Sequence, residues 1–243
     1  MRINPNHYSR WIFICLLVLS TLACSISLPD LSSVPVIGDP TAVPSPTPEG
    51  DSITFRTLTY RISLSEGESV PGTGLRFIGK RDNGFDITID GLPTFKRSGD
   101  SFPWRGVVAP GVVGVYDLRL TTTLLGELIA VGPVQVTILN PAPLELNNTQ
   151  PTPAVYEFEE LLIDYLVPVG RLIPGTTLTY LGQTEQGAQL SGTLGYPYLQ
   201  QADSLTWTGQ LRSNVILRYD LRVTSISETG LRLVGTAKLW VNP

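Results

Sequence analysis

The organising stretch of this 243-residue chain reads Pro174-Gly-Thr-Thr-Leu-Thr-Tyr180, and it is present earlier as Pro71-Gly-Thr-Gly-Leu-Arg-Phe77. Two further blocks repeat in the same way. They are Asp203-Ser-Leu-Thr-Trp-Thr-Gly209 with Asp100-Ser-Phe-Pro-Trp-Arg-Gly106, and Tyr219-Asp-Leu-Arg222 with Tyr116-Asp-Leu-Arg119. Each second-half block follows its counterpart by 103 residues, as 174 against 71 shows. A constant period of this length predicts two copies of one domain.

The opening strand of each repeat is predicted from an alternation of apolar and polar residues. The apolar positions are Leu58, Tyr60, Ile62 and Leu64 in the first repeat and Leu161, Ile163, Tyr165 and Val167 in the second. The opposite face exchanges its charges, since Arg56 becomes Glu159 and Arg61 becomes Asp164. An apolar face that is kept beside a polar face that varies is typical of a strand with one side in solvent.

The whole pattern of each repeat predicts an all-β fold. Turn signals recur at Asp82-Asn-Gly84 and Gly91-Leu-Pro93, with counterparts at Glu185-Gln-Gly187 and Gly195-Tyr-Pro197. Six or seven short strands at about this spacing favour two tandem antiparallel β-sandwich domains of the immunoglobulin-like kind. A small barrel is the alternative, because alternation does not determine closure. Trp104 and Trp207 are predicted to be the large central core residues of the two sandwiches.

The Pro-Gly-Thr-Thr-Leu-Thr-Tyr block resembles the start of immunoglobulin-like repeats in bacterial surface proteins. The resemblance covers this block alone and does not extend to the later Trp and Tyr blocks. It implies an architecture used for spacers, adhesive modules or binding modules.

The N-terminus has the composition of a secretory signal. Arg2 and Arg10 precede the apolar run Trp11-Ile-Phe-Ile-Cys-Leu-Leu-Val-Leu19. A basic start, a short apolar stretch and small residues predict a signal peptide over residues 1–23.

The end of this signal, Leu22-Ala23-Cys24, resembles the lipobox of bacterial lipoproteins, although Thr21 occupies the position where that box usually has leucine. The resemblance implies lipid attachment at Cys24 and anchoring at the outer face of a bacterial membrane. The alternatives are an ordinary secretory signal or an uncleaved anchor.

Proline-rich segments divide the remainder of the chain. Residues 24–52 are expected to carry the lipidated cysteine and a semi-extended stalk, and residues 142–154 are expected to be a stiff, unstructured linker. The two repeats then occupy residues 53–141 and 155–243. A domain of about a hundred residues can form its own core, so we expect each repeat to fold independently.

Several chemistries are excluded by composition. Beyond Cys24 the chain has no cysteine and no histidine, so catalysis by a Ser-His-Asp or Cys-His arrangement cannot be built. The usual zinc, copper and iron sites lack their ligands for the same reason, and no cofactor is predicted. The net charge is −4 with no basic block, which predicts no nucleic-acid partner.

Carboxylates offer two weaker hypotheses. Glu157 and Glu159 would share one strand face with Glu160 on the other, which permits a glycosidase pair in the second repeat alone; a solvated edge strand is the favoured interpretation. Calcium ligation is conceivable for Asp82, Asp86 and Asp90. Their counterparts are Glu185, Gln189 and Thr193. Because two of the three carboxylates are lost, a structural turn is favoured.

The loop Tyr196-Pro-Tyr198 is the candidate binding site, because the first repeat has Leu92-Pro-Thr94 there. Aromatic side chains in a loop of a rigid sandwich can stack on sugars or anchor a partner; the alternative is that both rings cover the core edge. We therefore expect a non-catalytic, membrane-anchored extracytoplasmic interaction or adhesion protein, with a cell-wall glycan or another envelope protein as partner. A structural envelope spacer is the alternative, and an envelope glycosidase the second alternative.

Overall fold

The computed structural model describes residues 51–124, 127–146 and 154–243, which lie within one compact unit, Pro48–Pro243. The predicted signal peptide, Cys24 and nearly all of the stalk lie outside these residues. All elements in the described ranges are strands. Within the same ranges no helix has the length and apolar character needed to cross a membrane.

The first repeat contains seven strands. They are β1 (Ser52–Leu64), β2 (Leu75–Arg81), β3 (Gly84–Ile89), β4 (Leu92–Arg97), β5 (Ser101–Ala109), β6 (Val112–Leu124) and β7 (Glu127–Leu139). Strands β2, β3 and β4 form a small antiparallel sheet, whereas β1 joins β5, β6 and β7 in a large one.

The second repeat follows the same plan. After the short strand β8 (Leu144–Glu145) between the repeats, its strands are β9 (Tyr156–Val167), β10 (Arg171–Leu172), β11 (Thr179–Thr184), β12 (Gly187–Ser191), β13 (Tyr198–Leu199), β14 (Ser204–Arg212), β15 (Val215–Ser227) and β16 (Gly230–Val241). Strands β10 to β13 form the small sheet, and β9, β14, β15 and β16 continue the large one. The predicted all-β antiparallel class is therefore confirmed.

The distribution of strands differs from that of an immunoglobulin domain. There the first strand shares a sheet with the second, fourth and fifth, whereas β1 here lies beside the last three strands of its repeat. The small and large sheets still pack as two layers. Leu75 and Phe77 of β2 and Leu178 and Tyr180 of the second repeat are all buried in one hydrophobic cluster with the large sheet.

The large sheet is continuous across both repeats, in the order β5-β6-β7-β1-β9-β16-β15-β14-β8. Its two halves meet where Arg56 of β1 pairs with Leu162 of β9. The two repeats also meet at a pair of turns: the side-chain Nδ2 of Asn214 at the β14–β15 turn donates to the carbonyl of Pro110 at the β5–β6 turn, at 3.2 Å. These two turns are equivalent in the 103-residue repeat, so they meet near an approximate twofold axis.

The shared Pro-Gly-Thr turn explains part of this symmetry. Gly72 and Gly175 have φ angles of 72° and 74°, which favour glycine. A Cβ at Gly72 would lie 3.3 Å from the ring of Tyr156, and one at Gly175 would lie 2.9 Å from Ile53. Tyr156 and Ile53 are also equivalent positions, so each repeat packs its turn against the opening strand of the other.

The predicted buried face of β1 is wrong at one position. Leu58 is 65% exposed, whereas Thr57 is buried. The register of β1 against β7 shifts between Thr57 and Tyr60, which is a β-bulge that changes the facing of the side chains. In the second repeat the corresponding shift lies between Phe158 and Leu161, so Leu161 is buried as predicted.

Two other expectations need correction. The segment between the repeats is not unstructured throughout, because β8 pairs with the outer edge of β14. Trp207 is buried, as predicted, but Trp104 is only half-buried. No described residue covers the outer edge of β5 as β8 covers β14.

Candidate binding surface

The Tyr196–Tyr198 loop lies at the tip of the small sheet in the second repeat. In the first repeat, β3 and β4 are joined by Asp90 and Gly91, whose φ angles of 51° and 80° form a tight two-residue turn. The second repeat joins β12 to β13 through residues 192–197 instead. This longer loop has room to project side chains that the tight turn lacks.

The two tyrosines of this loop lie side by side. Tyr196 is 73% exposed and Tyr198 is half-buried. Their ring centroids are 5.4 Å apart and the ring planes are inclined at 59°. Leu194 on the same loop is 75% exposed. The tip therefore presents apolar and aromatic surface to solvent, and Tyr196 does not fold back over the core.

The sheet below the loop continues this surface. Tyr198 pairs with Gln189 of β12, and Gln189 pairs with Gly182 of β11. Because Ala188 and Leu190 on either side are buried, the side chain of Gln189 points away from the core. It is half-buried and lies between an aromatic residue and a glycine on the neighbouring strands.

The equivalent face of the first repeat is occupied by its own ion pair. Arg81 lies 3.1 Å from Asp86, and its guanidinium is 4.8 Å from the centroid of the Phe95 ring. Ile78 and Pro93 complete the lining of a shallow groove of about 410 Å³ there. The cation and the ring are thus already bound to partners within the sheet.

Glu157, Glu159 and Glu160 line a groove at the β1–β9 junction. The groove has a volume of about 500 Å³ and is also lined by Tyr60 of the first repeat. Glu157 and Glu159 share one face, as predicted, because both carboxylates bind the ammonium of Lys238. The Glu157 oxygen is 2.8 Å from that nitrogen. The hydrogen bonds that Lys238 donates to both carboxylates raise its pKa.

This arrangement does not suit a glycosidase pair. A glycosidase needs one carboxyl group that is protonated and can act as an acid. Glu157 and Glu159 are instead both bound to the same ammonium, that of Lys238. Glu160 stands at the bulge of β9 with a φ of 53°. The geometry therefore favours a surface ion-pair cluster.

The aspartates of the calcium hypothesis serve the strands and turns around them. Asp82 adopts a φ of 48° in the β2–β3 turn. Asp86 pairs with Arg81, and Asp90 Oδ1 accepts a 2.8 Å hydrogen bond from Trp104 Nε1. In the described ranges no three His, Cys, Asp or Glu side chains are grouped to hold a metal ion.

Gln189 and Leu194 were not singled out by the sequence reasoning. The signal was available in the repeat, because Arg81 is replaced by Thr184 and Asp86 by Gln189 at the same 103-residue offset. A comparison of the polar faces, as well as the apolar ones, would have found the change from an ion pair to a free amide.

No family model, curated protein or solved structure matches this chain. Its function is therefore argued from its own residues.

Proposed function

We propose that this chain is a non-catalytic, membrane-anchored extracytoplasmic interaction protein that binds its partner through the Tyr196–Tyr198 loop. One observation carries the proposal: Tyr196 is 73% exposed and packs against Tyr198 on a long loop, where the first repeat has the tight turn Asp90-Gly91. Exposed, partly ordered aromatic rings offer large contact area at low entropic cost.

In this proposal the two repeats are tandem sandwich modules. They serve as scaffolds for a binding loop, as immunoglobulin-like domains do, although their strand order differs. A rigid sheet that carries a variable loop is a common way to position a binding site. The alternative role, an envelope spacer, would need no exposed aromatic loop.

The anchor is the second part of the proposal. Lipid attachment at Cys24 and export to the outer face of a bacterial membrane follow from the Leu22-Ala23-Cys24 ending. Metabolic labelling with a fatty-acid analogue should mark the wild-type chain and not Cys24→Ser. Equal labelling of the two would refute the anchor.

The binding role is tested by comparing two variants of equivalent loops. Tyr196→Ala/Tyr198→Ala removes the aromatic pair, and Leu92→Ala is the matched control because Leu92 is 72% exposed at the corresponding tip. We expect the wild-type full chain in detergent to be retained on cell-wall and envelope preparations. The double variant should not be retained, whereas the Leu92→Ala control should be retained like the wild type. Retention of the double variant would remove the loop from the account, and absence of retention for all three would favour the spacer.

A further inference from the structure

Strands β11, β12 and β13 and the aromatic loop of the second repeat contain no charged residue, and the charged strand residue of this small sheet is Arg171 on β10. We call the outer face of these three strands and the loop the neutral face and define it by Thr179, Leu181, Gln189, Ser191, Tyr196 and Tyr198. The last two are the aromatic pair, and Leu181 on β11 is 46% exposed. The buried partners Tyr180, Ala188 and Leu190 point the other way, into the core.

The neutrality of this face stands out against its counterpart in the first repeat. The charged residues of β2, β3 and β4 are Arg76, Lys80, Arg81, Asp86, Lys96 and Arg97. At the offset of 103, which the strand pairing keeps, the second repeat has Thr179, Gln183, Thr184, Gln189, Leu199 and Gln200. Every charge is replaced by an uncharged residue, an amide or a hydroxyl group at five of the six positions, while the apolar core positions keep their character.

The polar groups of the neutral face are also free. Among the described residues, the side chains of Gln189, Ser191, Tyr196 and Tyr198 make no hydrogen bond to another protein group. In the first repeat the equivalent carboxylate of Asp86 is bound to Arg81. The second repeat therefore presents donors and acceptors that are available to a ligand.

We propose that the neutral face binds an uncharged glycan chain, with Tyr196 and Tyr198 packing on the apolar faces of sugar rings and Gln189 bonding their hydroxyl groups. An amide both donates and accepts, so it matches a hydroxyl group, which does the same. An anionic or cationic ligand would lose hydration here without meeting an opposite charge. This inference rests on the proposed binding function and names its ligand class.

The test uses the full chain in detergent on an array of neutral and anionic oligosaccharides, followed by titration of the glycans that bind. We expect binding to neutral glycans, with affinity reduced about tenfold or more in Tyr196→Ala/Tyr198→Ala and about three- to thirtyfold in Gln189→Ala. Arg81→Gln, on the opposite repeat, is the matched control and should leave affinity unchanged. Affinity should also be unaltered between about 0.05 and 0.5 M salt, because no charges meet. Thermal melts check that the variants fold.

The outcomes separate the two proposals. Loop-dependent binding to anionic glycans only, or to an envelope protein and no glycan, would overturn the neutral-glycan inference and leave the binding function standing. Glycan binding that survives in Gln189→Ala and in the tyrosine variant would overturn the placement on this face. No loop-dependent binding to any glycan or envelope preparation would overturn both.

Discussion

The two repeats carry equivalent tryptophans in equivalent strands, but only one of the two side chains is fully covered. Trp207 is 2% exposed, and β8 lies along the edge of its strand. Trp104 stands half-buried on β5, and its indole nitrogen donates to Asp90 at the tip of the neighbouring sheet. Within the described residues the indole nitrogen of Trp207 has no such partner. The same strand arrangement in both repeats thus allows different environments around the two equivalent tryptophans.

The small sheets differ in the same way on their outer faces. In the first repeat Arg81, Asp86 and Phe95 are bound to one another. In the second repeat the equivalent surface is uncharged and ends in the exposed Tyr196. The buried positions are shared because both sheets need a core, so the functional difference must lie in what is not shared.

The largest expected effect comes from separating the two repeats, which tests whether they stabilise each other. Phe55 contacts Tyr219 and Tyr60 contacts Phe158 across the junction, at ring-centroid distances of 6.3 and 6.4 Å. Expressed alone, 53–141 and 155–243 would expose these rings, at about 1.5–3 kcal/mol for each large side chain. We expect each fragment to unfold at a lower urea concentration than the whole chain. Equal stability would show that the repeats are independent, as the sequence predicts.

The second largest expected effect is a difference in stability between the alanine variants of the two tryptophans. Trp207→Ala should lower the free energy of unfolding by about 3–5 kcal/mol, because it leaves a large cavity in the core. Trp104→Ala should cost about 2 kcal/mol, since a half-buried ring loses less transfer energy. Urea unfolding followed by circular dichroism measures both. A loss below about 1 kcal/mol for Trp207→Ala would mean that its ring is not packed as described.

The equivalent core tyrosines give a finer contrast. The hydroxyl of Tyr219 lies 3.0 Å from both the Pro174 carbonyl and the Tyr165 hydroxyl. The hydroxyl of Tyr116 is buried without a hydrogen-bond partner in the described part of the chain. Tyr219→Phe should therefore cost about 1–2 kcal/mol, whereas Tyr116→Phe should be neutral or stabilising. The reverse order in a chemical denaturation series would contradict this assignment of the hydrogen bonds.

The smallest expected effect is a pH dependence present in one repeat only. Hydrogen bonds from Arg232, with its charge, hold the pKa of Asp164 below the ordinary 3.8. The equivalent residues are Arg61 and Ile129, which cannot form this pair. Because the pKa is lower in the folded state, the ionised carboxylate stabilises that state above about pH 4. This stabilisation is lost as the pH falls through the lowered pKa.

Asp164→Asn should accordingly be less stable than wild type near neutrality, and the difference should shrink as the pH falls through the lowered pKa of Asp164. Denaturation curves across this range measure the difference, with Arg61→Ala as a control that should show no such convergence. A difference that persists at low pH would mean that the ion pair is not its cause.

Much of the frame could be predicted from sequence, because burial of one strand face imposes a period of two. Leu64, Leu161 and Val167 are buried as the alternation indicates. The predicted burial of Leu58 was wrong, because a bulge depends on the partner strand and is not visible in the local sequence pattern. The β1–β9 junction was also out of reach, since pairing between distant strands is decided by shape and not by periodicity.

The candidate loop was predictable for a different reason. Tyr196 belongs to the turn Gly195-Tyr-Pro197, which follows its counterpart Gly91-Leu-Pro93 by 104 residues and not by 103. Such a departure from the repeat indicates a loop that the shared strands do not constrain. The neutral face behind it was missed, because Gln189 and Thr184 look unremarkable until Asp86 and Arg81 are seen to form a pair.

Hydrogen–deuterium exchange of the full chain tests the central claim most directly, which is that binding belongs to the unshared face of the second repeat. Exchange would be followed with and without a saturating glycan from the neutral set of the array. The account predicts slowed exchange over 187–199 and no change over 84–97, the equivalent hairpin of the first repeat. Protection of both hairpins, or of 84–97 alone, would contradict it.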